Sequence, residues 1–288
     1  LIYHQKILKN NESIKYADPK IFKFSYFYNN LEDQIHYLSN NDQDKINICV
    51  IDGKILNIEN CNKDIDIKIN NIESINTFIH DKFLDFEKYF DQDYIFNLNS
   101  LFLNSGFEMT IGEGQEANIY ISNAINKENT TLFQKNFIKC KKKSKINFIE
   151  EFSVDKPSNC NLVNFIDLEE GAELKHLNFQ RNNVMANLQS TSLTHCQKDS
   201  FYKQVIANIS YSSIRNHHYA NINGEGVSVD LDGIFLGSKN QIIDNKTQVT
   251  HNFPNSNSRQ RYKGVLTDNA KSSYLSKTVV DRIAQKTE

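Results

Sequence analysis

The chain has 288 residues, 39% of them apolar and 24% charged, and its net charge is −2. A nucleic-acid binder would carry a basic excess to neutralise phosphates, so this balance speaks against that class. No run of about 18 apolar residues exists to span a membrane, while 19 Phe and 13 Tyr give ample material for a core.

The first hundred residues are mixed. Ile48 to Leu56, with Gly53 near its centre, reads as two short strands around a glycine turn. Ile72, Ile75, Ile79, Phe83, Phe86 and Phe90 then recur at three- and four-residue steps, the apolar face of a helix. A second helix carries Ile95, Leu98 and Phe102 and stops near Gly106.

After Gly106 helical periodicity fades and short alternating runs replace it. They include Ile146 to Phe152, Leu162 to Leu168, Leu174 to Phe179, Phe201 to Ile209, Val227 to Leu231 and Val249 to His251. The spacing suits a sandwich, a barrel or a solenoid. Three features favour a solenoid. Asn-Gly hairpin signals are nearly missing, Asn223-Gly224 excepted. The strands run on without a helical interruption. A polar residue, a Gly and a small residue repeatedly open a new apolar run, as in Glu170-Gly171-Ala172. The expected division is a mixed α/β region over 1–105 and a β core over 106–288.

Cys49, Cys61, Cys140, Cys160 and Cys196 form no C-x-x-C pair, so neither a zinc knot nor a ferredoxin-type site is supported. They read as reduced, mostly buried thiols of a cytosolic protein. The run Lys139 to Lys143 reads as a solvated turn, with contact to an acidic partner as the alternative. Asn, Ile and Lys are abundant. An AT-rich coding sequence explains that, so no single Asn is read as a designed ladder. The chain opens on Leu1 and stops at Glu288, the pattern expected of a fragment.

The last third carries several distinct motifs in order. Leu231-Asp232-Gly233-Ile234-Phe235-Leu236 is followed by Asp244-Asn245-Lys246-Thr247 and by Thr250 to Gln260. Tyr262-Lys263-Gly264-Val265-Leu266 and Ala284-Gln285-Lys286-Thr287 complete the series. This series resembles the core of the SufB/SufD family of iron–sulfur cluster assembly scaffolds, and more closely its SufD branch. The likeness is sharpest from about Asn216 onward and weaker through Glu169-Glu170-Gly171-Ala172 and Asn97-Leu98-Asn99. Residues 1–70 match poorly.

The resemblance implies a mainly β fold, a right-handed parallel β-helix (a single-stranded β-solenoid). It implies a cytoplasmic scaffold, not an enzyme, working with a SufB-like scaffold subunit and a SufC-like ATPase. That complex builds a transient iron–sulfur cluster and passes it to target proteins; the isolated chain is expected to hold none. In the family the chain continues past Gln285-Lys286-Thr287 into a Cys/His-containing stretch and a helical domain that docks the ATPase. Neither has a counterpart in this sequence, so no catalytic residue is carried over.

Candidate sites were weighed against plainer roles. His217 and His218 are adjacent, so on a strand they face opposite ways and cannot easily clasp one metal; one is expected packed, the other exposed. His195-Cys196 meets the same objection. His251 ends a strand before Asn252-Phe253-Pro254, where its imidazole could ligate iron near Asp244 or Lys263 or simply fix the turn. Cys140, Cys160 and Cys196 could line a route for sulfur or be structural. Asp230 and Asp232 share a strand face and invite an acid/base reading, that of a carbohydrate-cleaving β-helix. A non-catalytic interaction module is the third reading. Finally, the late strands Arg261 to Leu266 and Ser273 to Val280 would leave an unpaired edge that invites another chain. Arg261, Tyr262, Lys263, Val265, Leu266, Tyr274 and Val279 are the expected interface, in a homodimer or with a SufB-like partner.

Overall fold

The computed structural model describes residues 45–60, 65–72, 93–154, 156–182, 186–209 and 213–287. Within them lie β1 (Lys45–Ile51), β2 (Lys54–Asn60), β3 (Ile67–Asn71), α1 (Tyr94–Phe102), β4 (Ser105–Ile111), β5 (Glu116–Ile125) and β6 (Thr131–Cys140). Next come β7 (Lys145–Val154), β8 (Asn159–Leu168), β9 (Glu173–Asn182), β10 (Asn187–Cys196) and β11 (Phe201–Asn208). The series ends with β12 (Ser213–Ile222), β13 (Ser228–Gly237), β14 (Ile242–His251), β15 (Asn257–Leu266) and β16 (Lys271–Val280). The expected helix over Ile75 to Phe90 lies outside the described residues. No described helix is long and apolar enough to cross a membrane.

From β5 onward the strands alternate between two sheets. One runs β15-β13-β11-β9-β7-β5-β1-β2 and the other β16-β14-β12-β10-β8-β6-β4-β3. Neighbours are parallel except where β2 pairs β1 and β3 pairs β4. Each coil therefore contributes one strand to each sheet, and its partner lies one coil away in sequence. Glu116 stands opposite Lys145, and Asn187 opposite Ser213. The result is the expected parallel β-solenoid, of about six turns. β1 pairs parallel with β5, so part of the mixed N-terminal region is built into the same sheet.

The corners explain why these residues wind rather than fold back. Lys143, Gly171, Asp199, Gly226 and Asn255 all hold positive φ and mark successive coils at one corner. Each passes its N–H to the carbonyl of the next coil: Lys143 to Glu170 at 3.0 Å, Gly171 to Lys198 at 2.9 Å, Asp199 to Glu225 at 2.8 Å and Gly226 to Asn255 at 3.0 Å. The residue that follows is small and buried in most cases: Ser144, Ala172, Ser200, Val227 and Ser256. Asn223-Gly224, the lone hairpin signal, sits at this corner instead, between parallel sheets.

Asparagines stack between coils on both faces, contrary to the reading of their abundance as mere composition. Asn118 bonds Asn147 at 2.8 Å, Asn136 bonds Asn164 at 2.9 Å and Asn223 bonds Asn252 at 2.8 Å. In-register parallel strands bring like amides together, so each ladder links neighbouring coils.

The outer face of the second sheet is covered by α1. Asp93 caps the helix, accepting from the N–H groups of Ile95 and Phe96. Phe96 packs edge-on against Phe165 and belongs to one cluster with Phe137, Val163 and Leu193. Asn99 donates to the backbone carbonyls of Gln134 and Asn161, and Asn161 donates back to that of Ile95.

Candidate functional site

The solenoid interior holds two apolar clusters and a polar seam. One cluster gathers Ile119, Ile138, Phe148, Ile166 and Val229; the other gathers Ile125, Leu132, Phe152, Leu162 and Ile214. Inward-facing Asn123, Gln134, Asn136, Glu150, Asn164, Asn178, Gln180, Asn216 and His218 are also buried. The seam is cross-linked between sheets and coils. Asn123 donates to Gln134, Gln134 to Asn136, and Gln180 to Asn216 at 3.0 Å.

At its centre is the buried Glu150 of β7. Asn178 donates to Glu150 Oε2 at 2.7 Å, and His176 Nε2 lies 3.4 Å from the same oxygen. His176 stacks on Phe148 with ring centres 4.7 Å apart. His218 stacks on Tyr202 at 5.6 Å and meets Thr194 Oγ1 at 3.2 Å. Burial, and after it the nearby His176, push His218 down to about 3 from 6.5, so its imidazole is neutral.

A second polar cluster lies outside the second sheet, at the foot of α1. Arg215 of β12 bonds Asp93 at 2.8 Å, both groups buried. His217 Nε2 meets Asp244 Oδ2 at 3.0 Å, and Ser273 donates to the other carboxylate oxygen. Burial and then Arg215 lower His217 to about 4, against the pull of Asp244. Burial opposes ionisation of Asp244, but His217, Ser273 and Arg215 outweigh it and lower its pKa. His217 and His218 do face opposite sides, yet both are buried. The outward side of β12 is closed over by Arg215, Asp93 and Asp244, so the expected exposed histidine is not found.

The other expected residues fall in separate places. His251 points inward, its Nε2 2.9 Å from Ser258 Oγ. Among the described residues no three His, Cys, Asp or Glu converge in a metal-ready group. His195 is held by Asn221 and Asn223, while Cys196 turns inward. Cys140 and Cys196 share one interior row with Leu168 between them, and Cys160 stands in the row at the opposite strand end. Adjacent parallel strands are about 4.8 Å apart, so Cys140 and Cys196 are roughly 10 Å from each other along the stack. Burial, then Asp167, pushes Cys140 up to about 12; burial raises Cys160 and Cys196 further. Such thiols are weak nucleophiles. Cys61 lies outside the described residues.

Asp230 and Asp232 lie on the outer face of the first sheet, each taken by an arginine one coil on. Arg259 reaches Asp230 at 2.7 Å, and Arg261 grips both oxygens of Asp232 at 2.9 and 3.0 Å. Arg261 holds Asp232 below the usual carboxylate range, the reverse of what a glycosidic acid needs. Of the run Lys139 to Lys143, Lys139 and the buried Cys140 end β6 and the turn begins only at Lys141, with Lys139 on Glu169 at 2.8 Å and Lys142 on Glu170 at 3.3 Å. β15 and β16 end their sheets among the described strands. Of the expected interface residues, Tyr262 and Tyr274 turn inward and stack at 4.5 Å, and Leu266 faces Gly237. Arg261, Lys263, Val265 and Val279 turn outward, Val265 with 60% of its surface open.

Sequence reasoning missed the Glu150–His176, Arg215–Asp93 and His217–Asp244 pairs. The signal is the coil period: Glu150 and His176 are diagonal neighbours one coil apart, in the rows of Asn178 and Phe148.

The comparison with curated proteins found no match. The family model described as SUF system FeS cluster assembly, SufBD core domain, matches residues 123–288, from the last residues of β5 through all later coils. The stacked coils, the edge strands at their end and this match over more than half its length together show that the chain belongs to the SufBD core-domain family of the SUF iron–sulfur cluster assembly system.

Proposed function

We propose that this chain is a SufD-like scaffold subunit that works in the cytoplasm beside a SufB-like subunit and a SufC-like ATPase. The observation that carries this reading is the family match, which takes in β6 to β16; β15 and β16 end their sheets among the described strands. A free edge supplies main-chain donors and acceptors for added strands, and the exposed Val265 and Leu275 supply apolar contact. In that arrangement the chain holds one side of a junction where a cluster is assembled transiently and handed to target proteins. His251, whose Nδ1 has no hydrogen-bond partner among the described residues, is the imidazole we assign to iron contact there. The remaining ligands would come from the partner.

Co-expression with a SufB-like subunit tests the pairing. The expected result is co-purification that Val265→Pro weakens in a folded variant, because Pro removes a ladder donor. Failure of the two chains to associate would refute the subunit role. Loss of iron from the assembled complex in His251→Ala, with association intact, is the outcome expected of the iron contact. Unchanged iron would remove His251 from the site.

A further inference from the structure

The coils from β9 to β12 gather several buried polar atoms without a partner in one place. Among the described residues, neither ring nitrogen of His176 completes a hydrogen bond, nor do Asn178 Oδ1, Gln204 Oε1 and His218 Nδ1. All four residues are 3% exposed or less. They lie on inner faces: His176 shares a row with Gln204, and His218 with Ser192. A buried polar group without a partner costs about 1–3 kcal/mol, so four neighbours of this kind call for further hydrogen-bond partners.

Around them the inner wall carries several small polar side chains. β10 turns Ser190, Ser192 and Thr194 inward, where β8 places Leu162, Asn164 and Ile166 and β12 places Asn216, His218 and Ala220. Ser190, Ser192 and Ile206 face inward yet keep 6%, 5% and 6% of their surface accessible to water.

The chemistry of the wall selects the occupant. Two amide oxygens accept, and the imidazoles of His176 and His218 offer nitrogens that serve in either role. Glu150 disfavours an anion. The geometry points to a cluster of ordered water molecules bound inside the solenoid between β9 and β12, bridging His176, Asn178, Gln204 and His218 and hydrating the Glu150–His176 pair. A buried water needs two to four polar partners, which these side chains supply.

Oxygen-17 magnetic relaxation dispersion on the full chain reads the number of waters held for longer than nanoseconds. The expected result is that Gln204→Leu and His176→Phe each lose about one to two of the waters seen in the native chain. Far-UV circular dichroism shows whether each variant is folded. Folded variants that retain the full count would overturn the proposal. If neither variant folds, a high-resolution crystal structure of the native chain decides. Ordered density bridging these side chains supports the proposal; a collapsed interior, with the four groups bonded to one another, overturns it.

Discussion

Gly233 and Gly264 show how single residues set the fit between coils. A β-carbon on Gly233 would stand 2.2 Å from the Tyr262 ring, and one on Gly264 would stand 2.1 Å from the Phe235 ring. Each glycine therefore makes room for an aromatic ring on the neighbouring coil. Overfilling a packed interior costs about 1–3 kcal/mol. Gly233→Ala, at the buried glycine of the two, should lower stability by that amount in urea unfolding, and no change would show that the Tyr262 ring has space to move. The buried histidines predict an acid-sensitive fold. His217 sits at about 4 in the folded chain against 6.5 when free, so between those values the unfolded chain binds the extra proton. Its contribution is therefore complete above about pH 6.5 and is lost as pH falls toward 4, on the order of 3 kcal/mol in all. Urea midpoints should fall over that window and fall less in His217→Gln. At this scale the sequence was informative about periodicity and silent about partners. Asp230 and Asp232 looked like paired acids because the arginines that neutralise them lie 29 residues on.

At the scale of elements, α1 is fastened to the sheet by polar contacts as much as by its apolar face. Asp93 both caps the helix and pairs with buried Arg215 across 122 residues of sequence. Removing one partner of a buried pair costs about 3–5 kcal/mol, because the other charge remains unpaired. Asp93→Ala should lose at least that, and adding Arg215→Met should restore most of it; a double-mutant cycle without coupling would show the pair to be incidental. The helix itself was legible from Ile95, Leu98 and Phe102. The strands were legible from alternation, and the corner at Glu170-Gly171-Ala172 from its glycine. The clean coil period was not. The left-handed corner position is filled by Gly114, Lys143, Gly171, Asp199, Gly226 and Asn255, of which three are glycine. Asn and Asp adopt that conformation readily, and Lys143 pays a modest steric penalty within a stacked turn. A search for glycine alone therefore sees a broken repeat. The polar seam hid the period further, since inward positions hold Asn, Gln, Ser and His where an apolar row was expected.

For the molecule as a whole, β15 and β16 are the last described strands of the stack, and the scaffold reading rests on what binds there. The most direct measurement is anaerobic reconstitution with ferrous iron and a sulfur donor, followed by visible absorbance. It is run on this chain alone and on this chain co-assembled with a SufB-like subunit and a SufC-like ATPase. The account predicts a cluster chromophore in the assembly that passes to an apo-acceptor protein, at yields well above those of the assembly lacking this chain. Equal cluster yield and transfer with and without this chain, in an assembly shown to contain it, would contradict the scaffold role.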